Sequence, residues 1–143
     1  MRPWSTIVVG VDGSPCSRAA LTWAAAEAAR HGAQLVALKV WEPPLLPAMG
    51  SGSVPRGNVP DLSEPAAEDL VQVIEEELGV DPPVPVHPWV KQGNAAAVLI
   101  KESADADLLV VGKRGHGGFV GLVLGSVSQH VTAYAKCPVT VVR

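Results

Sequence analysis

Cysteine is scarce in this chain. The only two, Cys16 and Cys137, lie far apart with neither CxxC nor zinc-ligand spacing, which excludes a disulfide framework and a cysteine metal site. They read as reduced, partly buried thiols; a redox pair would require their Cα atoms to come within about 7 Å. Charge is sparse too: 17% of residues are charged, and 14 acidic against 11 basic side chains leave a net −3. A general nucleic-acid binder needs a basic patch to displace counterions from phosphates, so that class is excluded, whereas one small anionic ligand held by a few residues is not. No apolar run approaches the ~20 residues that span a bilayer. The opening MRPWSTIVVGVDGS has one early arginine and a short apolar run broken by Gly10 and Asp12, unlike a secretory signal. The expectation is a cytoplasmic protein with no membrane and no nucleic-acid partner. Two standard nucleotide motifs are also missing. There is no GxxxxGK[ST], and the first apolar run is followed by GVDGS rather than GxGxxG.

What is present suffices for one domain with a substantial core: 143 residues, 48% of them hydrophobic. TIVVGV, residues 6–11, is a β-branched run of the kind buried on both faces of a parallel sheet. Ser14 and Pro15 follow as an N-cap and a first helical residue, and residues 15–31 carry Ala20, Leu21, Ala24 and Ala28 along one face, ending near Gly32. Trp23 is expected in the core of that helix. QLVALKVW, 34–41, reads as a second strand. Ten of the 13 prolines then fall between Pro43 and Pro88, and the segment at about 43–62 reads as a long loop. A Glu-rich helix is expected over about 64–78 and a third strand over 86–93. The spacing of Pro85 and Pro88 restricts that strand to a sheet edge or requires the prolines at its start. Asn94 can cap a helix over 95–104, DLLVVG at 107–112 is a fourth strand, a helix spans about 126–135, and PVTVVR at 138–143 closes as a fifth strand. Strands alternating with helices imply a parallel sheet covered on both faces by right-handed crossovers, with ligands beyond the carboxyl ends of the strands.

Most of the chemistry sits in GKRGHGGFVGLVLGS, residues 112–126, which holds six glycines. Joining a strand to a helix takes four to six residues, so a longer, glycine-rich link needs another reason. Close approach of backbone to a ligand, or an anion nest of N–H groups, supplies one. Gly125-Ser126-Val127-Ser128 then opens the last helix, whose N-terminus offers free donors and a partial positive charge suited to phosphate. Taken alone, Ser126 would be an ordinary helix cap. Phe119, Val120, Leu122, Val123 and Leu124 are expected to pack the link back on the core, and Lys113 to be solvated. Asp12, at the end of the first strand, would repel phosphates unless a divalent cation stood between, so it points to Mg²⁺ or Mn²⁺; alternatively it makes the Asp-Gly turn or caps the helix.

Gly112, Gly115 and Gly125-Ser126 reproduce the G-x2-G-x9-G-[ST] pattern of the ATP-binding branch of the universal stress protein family. IVVGVDGSPCSRAAL, LKVWEPP and the segment from Asp105 to Arg143 resemble that family as well, so the likeness covers all but the segment at about 43–62. The resemblance implies a single-domain α/β three-layer sandwich with a five-stranded parallel sheet of order 3-2-1-4-5. It implies ATP, ADP or AMP as ligand, with Mg²⁺ or Mn²⁺ at Asp12. Val40 would meet the adenine through main chain. Val111, Gly112, Arg114 and Gly115 would line ribose and phosphates, and His116 could touch phosphate. Gly125, Ser126, Val127 and Ser128 would bind phosphate. The function implied is a nucleotide-dependent stress-response regulator acting on an unidentified protein partner, with a slow ATPase or autophosphorylating enzyme as the alternative and no evident catalytic residue. A homodimer paired through the strand at 138–143 is implied as well.

Overall fold

The computed structural model describes residues 3–43, 61–114 and 124–143. Nine elements follow one another among these residues: β1 (Thr6–Gly10), α1 (Pro15–His31), β2 (Gln34–Trp41), α2 (Ser63–Leu78), β3 (Val86–Gln92), α3 (Ala95–Ser103), β4 (Leu108–Gly112), α4 (Ser126–Tyr134) and β5 (Val139–Val142). The strands form one all-parallel sheet of order β3-β2-β1-β4-β5. Expected and observed elements agree within a residue or two. The segment at about 43–62 lies almost wholly outside the described residues.

The continuous apolar strands follow from having helices on both faces. Alternate residues serve two separate cores. Ile7, Val9, Leu35, Ala37, Leu108 and Val110 meet α1 and α2 on one face. Val8, Val36, Leu38, Leu109 and Val111 meet α3 and α4 on the other. A strand with one wet face would show polar alternation instead. Helix α1 can lie close to the sheet because its buried stripe is mostly small: Ser17, Ala20, Leu21, Ala24, Ala25 and Ala28. Trp23 falls off that stripe and is 37% exposed, which corrects its assignment to the core.

The prolines of β3 also find their reason. Leu35 N–H donates to Pro85 C=O at 2.9 Å, so odd-numbered residues here face β2 and Pro88 turns its missing donor to the open edge. Asp107, just before β4, accepts from Ser5 N–H at 2.8 Å and Thr6 N–H at 3.0 Å, fixing where β1 begins. The wholly buried Ser103 hydroxyl accepts from Lys136 N–H at 2.8 Å and ties α3 to the turn before β5. Both cysteines are free and half-buried, and burial pushes the Cys137 thiol above its ordinary value.

Candidate functional site

The turn after β1 is held from three directions. The Asp12 carboxylate accepts from Ser14 N–H at 2.9 Å and from the Ser14 hydroxyl, while Asp12 N–H donates to Ser17 Oγ at 3.2 Å. Arg18 Nε donates to Gly13 C=O at 3.1 Å. Gly13 has φ 85°, a conformation that side chains disfavour, so the Asp-Gly order is what lets the chain reverse here. Ser14 caps α1: its hydroxyl accepts from Ser17 N–H, and its own residue is 3% exposed. Asp12 thus makes the Asp-Gly turn while its carboxylate sits at the surface.

Beside this turn stands the end of β4. A Cβ placed on Gly112 would lie 2.7 Å from the Cys16 carbonyl carbon and 2.8 Å from its Cβ. Gly112 is therefore where the first turn of α1 crosses the sheet edge at backbone contact. From the other side, Ser128 donates its hydroxyl to Gly112 C=O at 2.6 Å and is buried. Lys113 is pinned at both ends, its N–H to Val142 C=O at 2.6 Å and its C=O to Gly125 N–H at 2.9 Å. The N-termini of α1 and α4 consequently meet on opposite sides of one glycine. Two helix ends directed at one sheet edge add their partial positive charges and their unshared N–H donors.

Helix α4 starts at Ser126, where the sequence places it. Gly125 is its N-cap, without a side-chain cap bond, and Ser126 is its first helical residue. The Ser126 side chain is exposed rather than folded back onto the helix, and the first backbone bond of the helix is Gln129 N–H to Gly125 C=O at 3.0 Å. The N–H groups of Ser126, Val127 and Ser128 therefore precede the helical ladder. Ser128 can donate to a phosphate only through its backbone N–H, since its hydroxyl proton is committed to Gly112 C=O.

The remaining expected residues are placed as follows. Val111 is buried in the α3–α4 core, and Val40, at the end of β2, is half-buried against the same core. Arg114 is half-exposed just past β4. Gly115 and His116 lie outside the described residues, as do Phe119, Val120, Leu122 and Val123. Two contacts lie beyond what the sequence pattern signals. Arg18 reaches from Gly13 to Glu76 at 2.7 Å and Glu77 at 3.2 Å on α2. Asn94, beyond caps, also extends its amide to Glu42 at 3.4 Å across the β2 and β3 ends. Nothing local in sequence marks either contact, because each joins segments separated by an entire element. Hydrogen bonds from Arg18 and then Gln72 hold the Glu76 carboxyl below its usual range, and the two glutamates raise the Arg18 guanidinium.

Comparison with known proteins gives the same direction. The family model described as the Universal stress protein family matches residues 3–143. A universal stress protein of Mycolicibacterium smegmatis is 39% identical over 140 residues, covering 96% of this chain and 45% of its own length. The chain spans about half the length of the curated relatives it matches. Among solved structures, a universal stress protein UspA from Lactobacillus plantarum superposes with TM-score 0.74 at 23% identity, covering both chains fully. Another, solved in complex with cAMP, has TM-score 0.66 at 24% identity, covering 99% of this chain and 98% of its own. More distant neighbours were solved with dAMP, from Archaeoglobus fulgidus, and with AMP, from Arabidopsis thaliana.

Proposed function

The chain belongs to the universal stress protein family, and from that premise we propose that it is an ATP-binding, nucleotide-dependent stress-response regulator. One observation carries this reading: the N-termini of α1 and α4 flank Gly112 at the carboxyl edge of the sheet, with the Asp12 turn beside them. An adenine nucleotide placed there would set its phosphates against the N–H groups of Ser126, Val127 and Ser128. Val40 would face the base. Val111, Gly112, Arg114, Gly115 and His116 would border ribose and phosphates. The neighbours complexed with cAMP, dAMP and AMP support this class of ligand.

The donor set suits a cation that arrives with the phosphates. No group of three or more His, Cys, Asp or Glu among the described residues could cage a metal unaided. Mg²⁺ commonly binds through one carboxylate plus substrate phosphates, and the surface carboxylate of Asp12 has that character. The cation would neutralise repulsion between Asp12 and the polyphosphate. Two copies of the domain would pair through β5, and a separate protein would read the nucleotide state.

The test removes the donors of one residue without disturbing the helix. Ser126 is the first helical residue, where proline is favoured, and Gly125 before it is already extended at ψ 164°. Ser126→Pro deletes the N–H and the hydroxyl together. Wild-type protein at a hundred times the dissociation constant of Mg-ATP should gain about 2.7 kcal/mol of stability. The variant should keep its nucleotide-free melting temperature and lose most of that gain. No gain in the wild type, together with no nucleotide released on denaturation, overturns the reading. Phosphate release that Asp12→Ala abolishes would favour slow hydrolysis over a binding-only regulator.

A further inference from the structure

We infer that Arg18 is a positioning residue for the nucleotide, fastening the Asp12-Gly13-Ser14 turn to α2 without touching the ligand. The inference rests on the nucleotide reading above. Within α1, Ser14 and Ser17 hold the turn by contacts confined to their own helix start. Arg18 carries the turn to another element. Its Nε donates to Gly13 C=O, and its Nη1 donates to Glu76 at 2.7 Å and Glu77 at 3.2 Å. Glu76 is itself oriented, because Gln72 Nε2 donates to its other oxygen at 2.8 Å. A chain Gln72–Glu76–Arg18–Gly13 therefore runs from α2 to the turn that presents Asp12.

The guanidinium suits this task because its donors point in fixed, divergent directions. One edge satisfies a carbonyl while another grips two carboxylates. A lysine in its place can reach one or the other. The acidic pair also holds the positive charge of Arg18 away from the phosphates, so its contribution is to geometry and not to attraction. Exposed ion pairs are individually weak and screened. A charge-assisted bond to a carbonyl at a ligand-bearing turn is stronger. The expected effect on affinity is therefore modest, about threefold to tenfold.

Isothermal titration of Mg-ATP into wild type, Arg18→Met, Arg18→Lys and Glu76→Gln/Glu77→Gln decides the matter, with urea unfolding of each nucleotide-free protein alongside. Arg18→Met should bind about threefold to tenfold more weakly at an almost unchanged urea midpoint. Arg18→Lys should resemble Met, since charge alone does not restore the fork. The glutamine pair is the sharper case. Removing two negative charges would tighten phosphate binding if Arg18 acted through its field, whereas loss of the anchor weakens it. In an Asp12→Asn background the Arg18→Met effect should vanish, because the carboxylate being positioned is gone. Arg18→Met binding like wild type, tighter binding by the glutamine pair, or an undiminished effect in Asp12→Asn would each overturn the inference while leaving the nucleotide reading intact. If wild type itself does not bind Mg-ATP, both fall together.

Discussion

A methyl group on Gly112 would stand within 2.9 Å of three Cys16 atoms, two of them backbone. Backbone cannot rotate aside as a flexible side chain can, so Gly112→Ala must push the first turn of α1 off the sheet edge. Overpacking of this kind costs about 1–3 kcal/mol. The expected result is a lower urea midpoint without any nucleotide present, accompanied by weaker binding because the Asp12 turn moves with α1. If Gly112 served a ligand alone, the nucleotide-free midpoint would not change. The glycine pattern was readable in the sequence, but this cause of it was not. Gly112 and Cys16 are far apart in the chain, and no local window contains both. The same holds for Ser128, whose place in a helix start suggested phosphate and whose hydroxyl in fact braces Gly112. Sequence spacing marks which residues share a helix end; it does not say which serine turns inward.

At the scale of elements, local signals were reliable where one short-range force decides. Ser14 and Asn94 both cap as their residue types demand, and each accepts from the N–H three positions on. Asn94→Ala should cost about 1 kcal/mol, seen as a lowered melting temperature, since it exposes one orphan donor at the start of α3. The loss should exceed that of an Ala substitution at exposed Gln72 on α2. Strands were legible because both faces are covered, so an apolar run needs no alternation to be recognised. The prolines of β3 narrowed it to a sheet edge or to prolines at its start, and the structure has Pro88 within the strand at the open edge. One detail of an element differs from its expectation. Trp23 was placed inside on hydrophobicity, yet the alanines at 20, 24, 25 and 28 had already defined the buried stripe. Ser126 is the first residue of α4 and not its cap; Gly125 caps, with its N–H held by Lys113 C=O.

For the whole molecule, the sheet has two edges of different character. β3 carries Pro88 on its open side and exposes most of its residues. β5 has the four residues Val-Thr-Val-Val, all half-exposed, and no strand beyond it among the described residues. Hydrogen-bond direction along β5 is fixed by its neighbour. Pro138 C=O accepts from Leu109 N–H at 3.0 Å and Val142 C=O from Lys113 N–H at 2.6 Å, so even-numbered residues face β4. Val139 and Val141 then direct their N–H and C=O groups outward, as a strand awaiting a partner does. A second copy related by a twofold axis would pair there antiparallel, each strand meeting its twin. Val141→Pro removes an outward donor and leaves the β4 ladder whole, whereas Thr140→Pro removes an inward one. Wild-type protein should sediment as a dimer at micromolar concentration, and Val141→Pro as a folded monomer with helical circular dichroism retained. Thr140→Pro should instead lower the urea midpoint, because the β4–β5 ladder loses a bond that both edge and core depend on. A monomeric wild type would overturn the dimer, and a Val141→Pro variant that still sediments as a dimer would place the contact between copies somewhere other than β5.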